Sequence, residues 1–268
     1  MLCYSSLGLP RWPVPDLCIL LKQFGYDGIE LALTREQIER SDDNAYWGEM
    51  SAGARETGIP ITCLHLGNPE LYSDPQKPRL LNEDKAGLEW NIELISRAFE
   101  IAESIDCRLV AAACGTLPDG LNREVAWGRL ERSIQEILEE RRGPVDFLIE
   151  HEPEHFIRTV DDILQLFDLS EGQVFCNLDV GHLEVSGDPI GASIERLGSI
   201  IKDVHLEDIQ DRRHQHLMPG DGEIDFGQIA QALKKIGYAG PVTVDLYPFA
   251  DRPIPAIKRA REAFSIFQ

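Results

Sequence analysis

Eight times along its 268 residues the chain passes from a short apolar, β-branched segment into a longer amphipathic one. This alternation dictates a parallel sheet flanked by helices, because parallel neighbours need a crossover connection long enough to hold a helix. The strand candidates are Leu2 to Leu7, Gly28 to Leu33, Ile61 to Leu66, Arg108 to Gly115, Val145 to Glu150, Val174 to Asp179, Ile201 to Leu206 and Pro241 to Leu246. Helical patterns fall between and after them, at about Pro15 to Phe24, Ala45 to Thr57, Glu83 to Ser104, Arg123 to Arg141, Thr159 to Phe167, Pro189 to Leu197, Phe226 to Ile236 and Ile254 to Phe267. In the third of these, Leu88, Ile92, Ile95, Phe99 and Ala102 recur at three- and four-residue steps and share one face. Strict alternation within a chain close to the roughly 250 residues usual for such folds predicts a closed (β/α)8 TIM barrel. An open doubly wound sheet is the alternative that strand count alone leaves standing. No repeat, low-complexity tract or linker divides the chain, so residues 1–268 read as a single TIM-barrel domain.

The balance of 26 basic against 46 acidic residues leaves a net charge of −20, which repels phosphodiester backbones and argues against a nucleic-acid partner. No apolar run approaches the 18 or more residues of a membrane span, and no basic segment at the N-terminus leads into a long apolar one. The expectation is a cytoplasmic protein with no membrane partner, and a homo-oligomer is compatible with it. Six cysteines are scattered without a C-x-x-C pair. Cys3, Cys63, Cys114 and Cys176 sit in strand-like segments and read as small buried hydrophobes.

Barrel enzymes place their chemistry where strands end and the following loops begin. Here those ends are polar in an orderly way. Strand five ends in Glu150-His151-Glu152, strand six in Asp179-Val180-Gly181-His182, strand seven in His205-Leu206-Glu207-Asp208, and strand eight in Asp245-Leu246-Tyr247. A carboxylate or imidazole at the end of an apolar strand is costly to desolvate unless it is paired or metal-bound. Taken singly, each reads as a hydrogen-bonded structural residue. Together, Glu150, Asp179, His205 and Asp245 supply three carboxylates and one imidazole, a set suited to one divalent metal ion among Mn²⁺, Mg²⁺, Co²⁺ and Zn²⁺.

His151-Glu152-Pro153-Glu154-His155 satisfies H-E-x-x-H literally, but that motif requires a continuous helix. Pro153 removes a backbone donor inside it, so a zinc protease is set aside. The segment Pro219 to Phe226 follows strand seven and reads either as a turn capped by Asp225 or as a mouth loop holding substrate, with His214 and His216 as contacts just upstream. Gly67 to Asn82, with three prolines, reads as a loop over the barrel mouth.

At these strand ends the sequence resembles the xylose isomerase-like barrel superfamily of sugar phosphate isomerases and epimerases, ketose 3-epimerases, inosose-processing enzymes and metal-dependent apurinic endonucleases. The pieces that carry the resemblance are Gly25 to Leu31, Leu148 to Glu150, Leu178 to His182, Val204 to Asp208, Pro219 to Phe226 and Gly237 to Asp245. The resemblance implies one metal held by Glu150, Asp179, His205 and the strand-eight carboxylate, with His182 contacting substrate beside it. It also implies that Glu30 and His65 stand at the mouth. Glu152 shares the inward parity of Glu150 and is the second choice for that ligand. The departure is Asp245, where members that epimerise carry glutamate as ligand and second acid/base. One methylene shorter, aspartate can reach the metal while missing the substrate carbon.

The implied chemistry acts on a small-molecule sugar, sugar phosphate or polyol. Glu150 takes a proton beside a metal-chelated carbonyl, and its return elsewhere gives isomerisation. Return by Asp245 to the opposite face gives an epimer. A dehydratase of the inosose type, or another metal-dependent lyase or hydrolase, uses the same scaffold. The endonuclease reading is disfavoured because those enzymes bind a metal cluster with additional histidines and need a basic face. A catalytically degenerate metabolite-binding barrel is the non-enzymatic alternative.

Overall fold

The computed structural model describes residues 1–10, 12–71, 80–81 and 85–267. Eight parallel strands pair in chain order: β1 (Leu2–Ser5), β2 (Gly28–Ala32), β3 (Ile61–His65), β4 (Leu109–Ala113), β5 (Asp146–Glu150), β6 (Val174–Asp179), β7 (Ile201–Leu206) and β8 (Val242–Val244). The last pairs with the first through Leu2↔Val242, Cys3↔Thr243 and Tyr4↔Val244, so the sheet closes into a TIM barrel and the open-sheet alternative falls away.

Ten helices lie in the described residues: α1 (Val14–Phe24), α2 (Arg35–Glu39), α3 (Asn44–Thr57), α4 (Lys85–Ile105), α5 (Arg123–Glu140), α6 (Val160–Leu169), α7 (Val180–Ser186), α8 (Ile190–Leu197), α9 (Phe226–Lys235) and α10 (Pro253–Ala263). Their ends follow capping chemistry. Thr159 and Asp162 form a reciprocal capping box at the start of α6, and Asp225 caps α9 by accepting the Gln228 N–H, as the sequence predicts. Two helices were not anticipated. At five and seven residues α2 and α7 run for less than two turns, too short for an apolar face to recur, and α7 begins on the residue after β6.

Apolar side chains on the outer face of the strands pack against the helices as one continuous core that includes Ile29, Leu31, Ile149, Leu178, Val204 and Val244. The barrel interior is different. A small cluster of Cys63, Leu109, Ala111 and Leu148 fills its lower part. Above it, the short side chains of β4 leave room, since Ala111 pairs with His65 and Ala113 with Glu150. All six cysteines are free and buried, in keeping with the hydrophobic reading of those four.

The mouth loop expected from Gly67 to Asn82 is described only at residues 67–71 and 80–81. The remainder, including Pro75 and Pro78, lies outside the described residues. Leu80 and Leu81 are buried, and Ser133 Oγ donates to the Leu80 carbonyl at 2.7 Å. No helix among the described residues is long and apolar enough to cross a membrane.

Candidate metal centre and mouth cavity

Inward parity in the middle of β2 and at the ends of β3, β5, β6 and β7 brings Glu30, His65, Glu150, Asp179 and His205 together inside the barrel, all of them buried. Glu150, Asp179 and His205 offer ligand atoms that lie within 4.8 Å of one another. His205 Nδ1 stands 3.2 Å from Glu150 Oε1 and 3.9 Å from Asp179 Oδ2, without hydrogen-bond geometry to either. Its other nitrogen, Nε2, lies 2.8 Å from Glu30 Oε2. A carboxylate on the far ring nitrogen fixes the orientation and tautomer of an imidazole and leaves Nδ1 free to ligate. Glu30 therefore sits beneath His205 and does not line the cavity wall.

His65 Nε2 lies 3.0 Å from Glu150 Oε2. Burial favours the neutral His65 ring, but the Glu30 and Glu150 carboxylates outweigh it and push the group up to about 9. The same balance raises His205 well above the usual imidazole value: burial opposes protonation, and Glu30 and Glu150 favour it. Burial works against the Glu150 carboxylate, yet His65 and His205 hold it well below the ordinary carboxylate range. The centre is thus a compact set of imidazole–carboxylate contacts.

Asp179 does two jobs. Its Oδ1 accepts the His182 N–H at 2.8 Å and caps α7, while Oδ2 is buried without a hydrogen-bond partner. Against it packs Glu207, fully buried, with both carboxyl oxygens unpartnered. Burial first, and Asp179 second, raise Glu207 well above its usual range. Glu207 was not singled out from the sequence, although its i, i+2 spacing from His205 puts both on the inner face.

Asp245 lies just past the end of β8 and joins no three-ligand group among the described residues. Its Oδ2 is 3.5 Å from His216 Nδ1, its Oδ1 is unpartnered, and burial raises its pKa. The structure thus gathers three of the four anticipated ligands and turns the fourth toward His216.

A second imidazole group stands beside the first. His182 Nε2 and His216 Nε2 lie 2.9 and 2.8 Å from His214 Nε2. The Nδ1 of His182 meets the His151 carbonyl at 2.7 Å, and that of His216 meets the Asp245 carbonyl at 3.1 Å. Burial and the two neighbouring rings push His214 down to about 4, which makes it the neutral acceptor. His216 holds a φ of +47°, unusual for a residue with a Cβ. The loop is shaped by Asp208, whose carboxylate accepts the N–H groups of Ile209, Gly220, Gly222 and Ile224. At Gly222 a Cβ would run into that carboxylate. The H-E-x-x-H segment is a turn, as Pro153 requires.

Above the centre opens a cavity of about 430 Å³, lined on one side by His65, Glu150, Glu152, His182, His214, His216 and Asp245. A closed barrel whose strand ends carry a carboxylate–imidazole centre under a cavity defines a class of α/β barrel proteins. Residues 18–267 match the family described as xylose isomerase-like TIM barrel, and the chain belongs to that family. Fructoselysine 3-epimerase of Escherichia coli O157:H7 is 24% identical over 269 residues, covering 97% of this chain and 95% of that protein. Two crystal structures share the fold at 19% identity, each covering 99% of this chain and 97% of its own. They are D-psicose 3-epimerase with D-tagatose from Clostridium cellulolyticum H10, at a TM-score of 0.79, and IOLI protein with a bound zinc atom, at 0.81.

Proposed function

We propose that this chain is a divalent-metal-dependent isomerase or epimerase of a small sugar or polyol, acting by proton transfer at a carbon beside a carbonyl. The observation that carries the reading is the convergence of Glu150, Asp179 and His205 under an open cavity. A buried polar atom without a partner costs about 1–3 kcal/mol. Asp179 Oδ2 and His205 Nδ1 are two such atoms, 3.9 Å apart, and a cation would relieve both. The mixed oxygen and nitrogen set fits hard or borderline divalent ions. Glu150, Asp179 and His205 would hold the ion, and Asp245 would join them as a fourth ligand by swinging its carboxylate away from His216.

When bound, such an ion polarises a substrate carbonyl and acidifies the neighbouring C–H. Glu150, kept ionised by His65 and His205, is the proton acceptor, and the His65 contact at Oε2 fixes its carboxylate at the cavity wall. His182, His216 and Glu152 line the same wall and orient hydroxyls. Asp245 holds a proton more readily than an exposed aspartate and faces the cavity from the β8 side.

The test is solvent deuterium entering ketoses recovered after incubation with metal-loaded protein, beside elemental analysis. Exchange that survives complete metal removal overturns the proposal, and loss of water from an inosose marks a dehydratase instead. Asp245→Glu is expected to raise epimerisation by about ten-fold or more, because the longer carboxylate reaches the substrate carbon. Chromatographic separation of the two epimers reads this out, and a fall in epimer formation contradicts the role given to Asp245.

Metal loading should also release protons. His205 is raised above the usual imidazole value in the metal-free centre, so it is protonated near pH 7 and must lose that proton to ligate. Apparent affinity therefore rises as pH rises. Calorimetric titrations in two buffers of different ionisation enthalpy should show about one proton released per ion at pH 7.

One observation favours a second reading. His182, His214 and His216 offer three ring nitrogens within 4.8 Å, a seat for a second cation of the kind that metal-dependent hydrolysis uses. The net charge of −20 still weighs against a nucleic-acid substrate. Two ions per chain together with phosphoester cleavage would favour hydrolysis, and one ion with deuterium exchange would favour the isomerase.

A further inference from the structure

The wall of the mouth cavity opposite the carboxylates and imidazoles is apolar. It is built by the segment after β1 and the start of α1, with Leu7, Leu9, Trp12, Val14 and Leu17 at the surface of the cavity. Trp12 and Tyr247 stand at the rim, each 40% exposed, which leaves two large rings open beside the cavity. Tyr247 packs on His216 with ring centroids 4.5 Å apart, so this wall is continuous with the polar centre.

Three polar side chains on the apolar side, Ser6, Thr34 and Gln37, are engaged with the backbone. Ser6 Oγ accepts the Ala32 N–H at 2.8 Å, and Thr34 and Gln37 satisfy each other's backbone in a capping box. No lysine or arginine among the described residues lines the cavity, whereas Glu70, Glu150, Glu152 and Asp245 do. A free hexose carries hydroxyls around its whole ring, and those facing Leu7, Leu9, Val14 and Leu17 would be stripped of water without new partners. Among the described residues, a phosphate group would meet those carboxylates and no lysine or arginine.

We propose that the apolar wall is a subsite for an apolar, ring-sized substituent, so that the substrate is an unphosphorylated sugar derivative bearing one. This rests on the sugar-directed function proposed above and narrows it. The sugar end lies against Glu150 and His182, and the substituent lies between Leu7, Leu17 and the rim rings.

Calorimetric titration of the magnesium-loaded protein with phenyl β-D-glucopyranoside, D-glucose and D-glucose 6-phosphate tests the subsite separately from the reaction. The phenyl glucoside is expected to bind about ten-fold or more tighter than glucose, with the phosphate weakest. Trp12→Ala and, independently, Tyr247→Ala should each lower the preference for the phenyl compound to about three-fold or less. Equal affinity for the phenyl compound and glucose, or tightest binding of the phosphate, overturns the subsite. A strong phenyl preference in a protein that exchanges deuterium into no ketose sinks the reaction and supports the subsite. Exchange into simple ketoses with no phenyl preference does the reverse.

Discussion

Glu150→Gln is expected to fold and to lose two to four orders of magnitude, or about 10²–10⁴, in deuterium exchange per bound metal ion, the range by which a positioned general base contributes. Glutamine has nearly the same shape, so the cavity wall and the strand register with Ala113 remain. What disappears is the charge. The Glu150 carboxylate is held ionised by His65 and His205 and is the only carboxylate of the proposed ligand set that faces both imidazoles within 3.2 Å. Its loss removes the proton acceptor and one anionic ligand together, and normalising the rate to measured metal content separates the two. A companion change, His65→Gln, preserves the carboxylate and removes only its anchor, so it should lower the rate by a smaller factor. Equal exchange rates in Glu150→Gln and the unaltered protein would refute the assignment of Glu150 as base.

The barrel was readable because its information is local. Alternation between a two-residue and a 3.6-residue period survives in any eight-fold repeat, and parity along Leu148-Ile149-Glu150 or Val204-His205-Leu206 tells which side chain points inward. Height within the barrel is another matter. Glu150 is the last residue of β5 and reaches the cavity, whereas Glu30 is the third of five residues in β2 and lies beneath His205. The direction of Asp245 was equally hidden, since β8 stops at Val244, two residues short of the anticipated end, and the following residues turn with the chain. The approach of His214 and His216 to His182 depends on the Asp208 carboxylate folding residues 209–224 around itself, a contact that no periodicity announces.

Gly181→Ala is expected to destabilise the fold by about 1–3 kcal/mol or more, the cost of overpacking a filled interior. A Cβ at Gly181 would overlap the Glu207 carboxyl and press on the Ile209 side chain. Glu207 has no room to retreat, because it is fully buried between Asp179 and the first turn of α7. The glycine is required here by close approach, since its own φ is not in the left-handed region. Removing the obstacle should reverse the effect. In Gly181→Ala/Glu207→Ala the new methyl occupies space vacated by a carboxyl whose two oxygens had no hydrogen-bond partner, so little favourable energy is lost with it. The urea midpoint of the double variant should return most of the way to that of the unaltered protein, a non-additivity that distant sites do not show. Metal affinity supplies the second readout. Glu207 presses on Asp179, so Gly181→Ala should weaken binding by displacing that ligand, even at urea concentrations where the chain remains folded. A double variant no more stable than Gly181→Ala alone would show that the clash lies elsewhere and that Glu207 does not support the metal centre from behind.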